Sequence, residues 1–417
     1  MRLKVILNRI EKHPGFVYER ARLVEDATEP AIEVTVRPRA HSRAVCSQCA
    51  ERAPGYDTLA LRRFEYVPLW GLRVFLVYAM RRVQCTRCGI VVEAVPWAMG
   101  KHRLTWSYVW FLARWARRLS WAEVATIFHS SWSSVFRAVE AAVAWGRARV
   151  VLDGLQAIGI DEVQWQRGHK YLTVVYEISR ECRRLLWVGR EREETTAQAF
   201  FTWLGAERSA ELKFICSDMW QPYLKVIAAQ ARGAVHVLDR FHIVAKLNKA
   251  IDEVRAQEAK ELKAKGYEPV LTKSRWCLLK RPENLSAKQE IRLAELVRYN
   301  LKAVRSYLLK EDFQSLWTYR SPYWAGRFLD RWCTRTLRSR IAPMKKIARS
   351  VREHRALILN WFRARGEISA GAVEGLNNKL KLITRRSYGF RSFRVIEVAL
   401  YHNLGRLPEP EGTHRFC

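Results

Sequence analysis

Three acidic residues of this 417-residue chain occupy positions where a carboxylate is hard to explain as surface decoration. Asp161 follows the apolar run 157–160, Asp218 follows a second short run at 214–217, and Glu374 lies in a late segment with helical periodicity. Carboxylate oxygens are the ligands that a hard cation such as Mg²⁺ prefers. Three carboxylates that cluster without a cation repel one another and take up protons. Together, the three residues therefore predict a site for divalent metal.

The charge of the chain indicates what such a site would act on. There are 73 Lys+Arg against 41 Asp+Glu, which gives a formal net charge of +32. That excess attracts the phosphate backbone of nucleic acid. Two Mg²⁺ ions roughly 4 Å apart both activate an oxygen nucleophile and neutralise the charge on a pentavalent phosphate. We therefore predict two Mg²⁺ (or Mn²⁺) ions bound by Asp161, Asp218 and Glu374, with Asp161 bridging them.

Nearby residues offer alternatives to these ligands. Asp239 follows a further short apolar run at 235–238, and Glu162 is the immediate neighbour of Asp161. Asp239 is equally explained as the cap of the next helix, in which His242 would touch the scissile strand. Each acid taken singly is also explained by a helix cap or a salt bridge. Spacing alone leaves these alternatives open.

The segment around Glu374 predicts an amphipathic helix that Ser369 would cap. Glu374, Asn378 and Lys381 are spaced i, i+4 and i+7, so they share one face. The opposite stripe is apolar and consists of Val373, Leu376, Leu380 and Ile383. We expect the polar face to approach the metal and DNA, although Lys381 is also explained as a solvated helix residue. The residues expected to contact DNA here are Asn378, Lys381, Arg385 and Arg386.

Two Cys-x-x-Cys pairs predict a second metal site. They are Cys46 with Cys49 and Cys85 with Cys88. Two thiolates separated by two residues chelate one ion, and a second pair completes a tetrahedron. A β-hairpin within residues 50–84 would bring the pairs together. We predict one structural Zn²⁺, and the alternative is two unrelated pairs.

Residues 103–150 have a helical pattern rich in tryptophan. Ser120, followed by Glu123, matches a capping box. A second helix is predicted from Trp132 after a short break. A helix, a tight turn and a helix form the shape whose second helix enters a DNA major groove. Ser133, Ser134 and Arg137 would then face DNA, and the alternative is an ordinary helical hairpin.

The later chain changes from mixed strands and helices to helices alone. Strands are predicted at 158–164, 171–178, 184–189, 213–217 and 235–238, with helices at 195–204 and 220–230. Three meandering strands followed by strands that alternate with helices predict a mixed α/β sheet. From about 246 to 360 the pattern is helical, and residues 273–352 contain 20 Lys+Arg against 6 Asp+Glu. We expect this basic insertion to bind the DNA backbone, with Arg335, Arg338 and Arg340 as candidate contacts.

Several of these segments, in combination, resemble the ISL3 family of bacterial insertion-sequence transposases. The matching segments are Gly159-Ile-Asp-Glu-Val, Gly168-His-Lys-Tyr-Leu-Thr-Val-Val, Ser217-Asp-Met-Trp-Gln-Pro-Tyr, Asp239-Arg-Phe-His-Ile, Glu374-Gly-Leu-Asn-Asn-Lys-Leu-Lys and Arg385-Arg-Ser-Tyr-Gly-Phe-Arg. The resemblance implies an α/β ribonuclease-H-like core split by an all-α insertion. It also implies an Asp-Asp-Glu triad that falls on Asp161, Asp218 and Glu374. The family's Asp-x-x-His element falls on Asp239 and His242.

These observations predict five modules. They are a zinc-binding module at 1–100, a helix-turn-helix module at 101–150, the first part of the core at 151–250, the basic helical insertion at 251–360, and the last part of the core with the C-terminal tail at 361–417. The resemblance implies a transposase that cleaves element ends and joins the 3′-OH to target DNA. The alternatives are a sequence-specific DNA-binding regulator and a nuclease without strand transfer.

Composition and the resemblance also give expectations about setting and partners. No apolar run is long enough to span a membrane and no signal peptide is evident. We expect a cytoplasmic, nucleoid-associated bacterial protein with no membrane partner. Its expected partner is double-stranded DNA, both element ends and target, bound as a homodimer or higher oligomer.

Overall fold

The computed structural model describes residues 3–25, 29–100, 102–364, 368 and 371–411. Ser369, the expected cap of the Glu374 helix, lies outside these ranges. The chain divides into two compact units, Met1–Val151 with Leu380–Cys417 and Leu152–Lys379. We call them the terminal unit and the central unit.

The first half of the terminal unit is a sheet rich in long strands. Its elements are α1 (Leu3–Ile10), β1 (Phe16–Val24), β2 (Ala31–Pro38), β3 (Ala44–Val45), β4 (Arg52–Ala53), β5 (Gly55–Leu69), β6 (Leu72–Cys85) and β7 (Gly89–Val92). The strand order is β1-β2-β6-β5, and β7 also pairs with β6. Alternating residues of β6 are buried, as expected for a strand with one face on a core. The predicted hairpin within 50–84 is therefore present as β5–β6.

Four helices of the terminal unit each begin after a hydroxyl side chain that caps them. They are α2 (Trp106–Arg118), α3 (Trp121–Ile127), α4 (Trp132–Arg147) and α16 (Phe393–Leu404). The caps are Thr105, Ser120, Ser131 and Ser392, whose side chains accept from backbone N–H groups in the first turn. The predicted capping box of Ser120 and Glu123 is confirmed.

Residues from Leu380 onward group with the terminal unit, whereas the sequence analysis assigned 361–417 to the core. Apolar packing and ion pairs explain why these residues belong to the terminal unit. The apolar face of α16, with Ile396 and Leu400 fully buried, lies against α4. Beyond α16, Glu409 pairs with Arg114 at 2.9 Å and with Arg117 at 2.5 Å.

The central unit contains a five-stranded sheet with the order β10-β9-β8-β11-β12. Its elements are β8 (Ala157–Gln166), β9 (Lys170–Ile178), β10 (Arg183–Arg190), α5 (Glu194–Leu204), α6 (Ala206–Glu211), β11 (Phe214–Ser217), α7 (Gln221–Gln230) and β12 (Val235–Leu238). The first three strands are antiparallel, and β11 and β12 run parallel to β8. The predicted mixed α/β sheet is confirmed. Asp161 lies within β8, as the predicted strand at 158–164 implies, and β8 extends two residues beyond that prediction.

The rest of the central unit is helical, as predicted. Its elements are α8 (Arg240–Ala264), α9 (Arg275–Leu279), a 3₁₀ turn (Pro282–Asn284), α10 (Ala287–Val297), α11 (Lys302–Gln314), a 3₁₀ turn (Ser315–Thr318), α12 (Pro322–Leu337), α13 (Ala342–Glu353), α14 (Arg355–Arg363) and α15 (Ala372–Arg386), within which the unit boundary falls. Residues 240–363 pack around Phe313 and Trp332 in an apolar core that also includes Met219 and Leu238. No helix in the described ranges is both long and apolar enough to cross a membrane.

Candidate active site and cysteine cluster

The parallel strands of the central sheet place three aspartates in a row. Asp218 directly follows β11 and Asp239 directly follows β12. The register pairs Cys216 with Gly159 and Ser217 with Leu238. Continued by one or two residues, this register sets Asp218 between Asp161 and Asp239. All three side chains belong to buried residues, so the sheet gathers their charge in one place.

Backbone groups fix one oxygen of each aspartate. Asp161 Oδ1 accepts from Glu162 N at 2.8 Å, Asp218 Oδ1 accepts from Trp220 N at 2.8 Å, and Asp239 Oδ1 accepts from Phe241 N at 2.8 Å. Asp239 therefore caps α8, which is one of the two roles that the sequence analysis left open for it. Because one oxygen of each carboxylate is fixed, the direction of the other is fixed as well.

His242 connects two of these aspartates. Its Nε2 lies 3.4 Å from Asp161 Oδ1 and 4.0 Å from Asp239 Oδ2. The hydrogen bond to Asp161, followed by the negative charges of Asp161, Asp239 and Asp218, raises the pKa of His242 to about 9. The structure thus brings the alternative pair Asp239 and His242 into the same cluster as Asp161.

The acids of the cluster raise one another's pKa. Burial, followed by the charge of Asp218, raises the pKa of Glu162 to about 7. Burial also raises the pKa of Asp239 to about 6, and the charges of Asp161 and Glu374 add to that effect. Glu374 is itself exposed on α15. Its charge therefore acts on the aspartate row from a different element of the fold.

α15 reaches the cluster through Asn377, which the sequence analysis missed. Asn377 Nδ2 donates a hydrogen bond to Asp161 Oδ2, and Asn377 Oδ1 accepts one from Tyr176 at 2.9 Å. The helix can approach because Gly159 has no side chain: a Cβ there would lie 2.4 Å from Val373 Cγ2. A signal for Asn377 was present, since it is a polar residue on the same helical stripe as Val373.

Arg192 is a second residue that the sequence analysis missed. Its Nε lies 2.6 Å from Glu162 Oε1, and its Nη2 lies 3.3 Å from Asp218 Oδ2. Its guanidinium carbon also lies 4.5 Å from the centre of the Trp220 ring. No periodicity or motif separates Arg192 from the other arginines, so only the fold shows that it belongs to the cluster.

The cluster fits divalent magnesium or manganese. Its candidate ligands are all carboxylate oxygens, the donor type that these hard cations require. Burial, with smaller contributions from neighbouring carboxylates, raises the pKa values of Glu162 and Asp239, and a bound cation would favour the ionised forms of both. The carboxylates are less tightly grouped than the ligands of a single ion.

The four predicted cysteines meet in the terminal unit. Among the described residues, they form the group of potential ligands whose donor atoms all lie within 4.8 Å of one another. Cys49 Sγ and Cys85 Sγ are 3.5 Å apart. Desolvation, followed by the neighbouring thiols, raises the pKa of Cys88 to about 12, whereas backbone N–H groups lower that of Cys46 to about 7. Four sulfurs grouped this closely fit a structural zinc ion.

The residues predicted to bind DNA lie in different settings. On α4, Ser133 and Arg137 are exposed, but Ser134 is half-buried and its Oγ is 3.0 Å from that of the cap Ser131. The other exposed candidates are Arg335, Arg338, Arg340, Asn378, Lys381 and Arg385.

Arg386 has partners within the terminal unit. It donates to the carbonyls of Arg117 at 3.0 Å, Arg118 at 3.2 Å and Ala116 at 3.3 Å, at the C-terminal end of α2. A guanidinium is favoured at a helix C-terminus, where unpaired carbonyls accumulate. Arg386 therefore links the C-terminal end of α15 to α2 within the terminal unit. The sequence analysis predicted only a DNA contact for this residue.

Known proteins resemble this chain over most of its length. A family model described as a transposase, of the DDE and ISL3 type, matches residues 158–400. The transposase for insertion sequence element IS1001 of Bordetella parapertussis is 30% identical over 380 residues, which cover 90% of this chain and 92% of that protein. The transposase for insertion sequence element IS1557 of Mycobacterium tuberculosis is 30% identical over 418 aligned residues, which cover 94% of this chain and 93% of that protein.

Proposed function

This chain belongs to the ISL3 family of transposases, and we propose that it cleaves the ends of a mobile DNA element and joins each freed 3′-OH to target DNA. The observation that carries the proposal is the row of Asp161, Asp218 and Asp239, on which the charge of Glu374 also acts. Such a density of buried acid, in a chain of net charge +32, suits a site that handles phosphate through divalent cations.

We assign different roles to the central unit and the terminal unit. The central sheet, three antiparallel strands followed by two parallel ones, supports a ribonuclease-H-like core, interrupted by α8–α14 before the Glu374 helix. In the terminal unit, α3 and α4 are proposed as a helix-turn-helix that recognises element ends. The cysteine cluster is proposed to hold one zinc ion that stabilises the surrounding β-strands.

The roles of the side chains follow from their positions. Asp161, Asp218 and Glu374 would hold the cations, and the pairing of β8 with β11 places Asp161 next to Asp218. Two bound Mg²⁺ (or Mn²⁺) ions would activate the attacking oxygen and neutralise charge on the phosphate. Asn377 orients the Asp161 carboxylate through its hydrogen bond. Asp239 and His242 are proposed as accessory residues that hold the cluster together.

A plasmid assay separates this proposal from its rivals. The substrate is a plasmid carrying the element's terminal repeats, incubated with purified protein and Mg²⁺. A transposase cleaves at the repeat ends and yields joined products, and a regulator binds the repeats without cutting them. A nuclease without strand transfer cuts but leaves no joined product. Full-length substrate that is bound and uncut would contradict the proposed function.

The helical insertion is proposed to bind the DNA backbone through a groove between α11 and α12. The groove has a volume of about 900 Å³ and contains Arg305, Arg331, Arg335 and Arg338. Of its two acids, Asp312 pairs with Arg335 of the groove itself, and Asp330 pairs with Arg355 at 2.8 Å. The lining therefore presents a surplus of guanidinium groups that suits phosphate.

Neutralising Arg335, Arg338 and Arg340 together to alanine is expected to weaken DNA binding equally for element-end and unrelated sequences. Each lost phosphate contact should flatten the slope of log K against log salt by up to about 0.9. Fluorescence anisotropy over a salt series measures the slope. The matched control removes Lys260, Lys263 and Lys265, exposed residues near the end of α8. Equal effects of the two triple variants would mean that Arg335, Arg338 and Arg340 have no special role in DNA binding.

Lys381 is expected to contact the scissile strand, since it lies two turns after Glu374 on the exposed face of α15. Lys381→Ala should slow joining roughly tenfold to a hundredfold, which corresponds to a charge-assisted hydrogen bond of about 1.5–3 kcal/mol expressed in the transition state. Kinetics on a pre-nicked end substrate measure the rate. Lys379→Ala, an exposed lysine on another face of α15, is the control. A joining rate within about twofold of wild type would leave Lys381 as a solvated residue.

A further inference from the structure

Arg192 contacts the Asp218 oxygen that would need to be free if Asp218 bound a metal ion. Asp218 Oδ1 accepts from the backbone N–H of Trp220, so Oδ2 is the oxygen that remains for a cation. Arg192 Nη2 lies 3.3 Å from that same Oδ2. A guanidinium and a divalent ion are both cations, so each lowers the affinity of this carboxylate oxygen for the other.

Two further contacts hold Arg192 in place independently of Asp218. Its Nε lies 2.6 Å from Glu162 Oε1, and its guanidinium carbon lies 4.5 Å from the centre of the Trp220 ring. The side chain is 33% exposed, whereas those of Glu162 and Asp218 are 9% and 10% exposed. If the contact with Asp218 breaks, the Arg192 guanidinium can therefore stay beside Glu162 and Trp220. Part of it would then face solvent.

We propose that Arg192 is an exchangeable counter-cation: it binds Asp218 in the free protein, yields Asp218 to a divalent cation, and then binds a phosphate of the DNA substrate. The proposal rests on the proposed function, because it takes Asp218 as a metal ligand. A guanidinium suits the second role since its planar fork binds phosphate oxygens through two parallel hydrogen bonds. The Glu162 and Trp220 contacts keep the group where such a phosphate would arrive.

A fixed structural bridge is the competing explanation, and it predicts the opposite sign. If Arg192 only positions Asp218 and Glu162, removing it lets both carboxylates move, and metal binding weakens. If Arg192 competes with the cation, removing it frees Asp218 Oδ2, and metal binding becomes tighter. The affinity for metal in the absence of DNA therefore distinguishes the two roles.

The test is a calorimetric titration of the full chain with Mn²⁺ and without DNA. Arg192→Met is expected to bind Mn²⁺ about tenfold more tightly than its control, because a cation beside a carboxylate changes that carboxylate's affinity for another cation by at least this factor. The control is Arg190→Met, which removes a positive charge two residues away that pairs with Glu191 at 3.6 Å. Unchanged or weaker Mn²⁺ binding by Arg192→Met relative to Arg190→Met overturns the exchange.

Two further variants keep the outcome interpretable. Asp218→Asn is expected to lose the Mn²⁺ binding that the wild type shows, and an unaffected Asp218→Asn would overturn both this proposal and the assignment of Asp218 as a ligand. Loss in Asp218→Asn combined with no gain in Arg192→Met overturns the exchange alone. If Arg192→Met fails to fold, Arg192→Lys should still bind Mn²⁺ about threefold more tightly, since lysine lacks the planar fork that contacts both acids.

The phosphate role has its own readout. At saturating Mn²⁺, Arg192→Met is expected to cleave end DNA about tenfold or more slowly than Arg190→Met, although it binds the metal more tightly. Tighter metal binding together with slower cleavage is a combination that a purely structural bridge does not produce. Cleavage by Arg192→Met at the rate of the control would overturn the phosphate contact.

Discussion

Asp161→Asn, Asp218→Asn and Glu374→Gln are each expected to abolish Mg²⁺-dependent cleavage and joining. Each change keeps the size of the side chain and removes one negative oxygen ligand. Metal-ion catalysis supplies several kcal/mol of transition-state stabilisation. Because about 1.4 kcal/mol corresponds to a factor of ten in rate, the loss should reach about a thousandfold or more. Gel assays of cleavage and of joining, in Mg²⁺ and on element-end DNA, measure the effect.

Two controls separate lost chemistry from lost structure. Glu207→Gln removes an exposed acid on α6 of the same unit and should cleave at the wild-type rate. Binding of end DNA by the three triad variants should survive, because the proposed end-recognition elements lie in the terminal unit. A triad variant with near wild-type cleavage would show that its residue is not a metal ligand. Asp239, whose place in the row is next to Asp218, would then be the next residue to replace.

The second large effect is expected at the cysteine cluster. Wild-type protein purified without added metal should contain one zinc per chain, and Cys46→Ser should contain almost none. Zinc holds its ligands with about 10–16 kcal/mol of apparent free energy in small zinc-finger peptides. The segment around β3, β4 and β7 has few other buried apolar residues. Its structure should therefore depend on the metal more than the central unit does.

Elemental analysis and limited proteolysis measure the zinc content and the local unfolding. Cleavage by protease in Cys46→Ser should concentrate near residues 43–53 and 85–92, while the central unit stays resistant. Cys182→Ser, a cysteine outside the cluster, is the matched control and should retain one zinc. A zinc-free wild-type preparation that is folded and binds element ends would contradict a structural zinc ion.

Sequence patterns predicted the parts of the site that are local in the chain. Asp218 and Asp239 each follow a short apolar run, and such a run predicts a buried strand with a polar residue at its end. The Cys-x-x-Cys spacing likewise identified the four cysteines that the structure brings together. In both cases the relevant contacts are set by neighbours in sequence or by one hairpin.

The parts that escaped prediction depend on contacts between distant segments. Arg192 meets Asp218 across 26 positions, and Asn377 meets Asp161 across 216 positions. Arg192 does not differ by type or local spacing from many other arginines in the chain. Asn377 shares a helical stripe with Val373, but that spacing does not identify Asp161 as its partner. The sequence favoured Asn378, on the exposed face, over its neighbour Asn377, because periodicity alone cannot show that a buried polar residue has a partner.

The contact made by the C-terminal end of α15 also escaped prediction. Arg386 was predicted to contact DNA because it belongs to a basic cluster at the end of α15. In the structure it donates to three carbonyls of α2. Its helix is separated from α2 by more than 250 positions, so the charge pattern carried no sign of this contact.

The most direct test of the central claim is strand transfer by the purified wild-type protein in Mg²⁺. The substrate is labelled, pre-cleaved element-end DNA with a free 3′-OH, mixed with an unlabelled target plasmid. We expect labelled end DNA covalently joined to the plasmid, and no joined product from Asp161→Asn under the same conditions. If folded protein binds the end DNA but yields no joined product, or if Asp161→Asn joins as well as the wild type, the proposed active site is wrong.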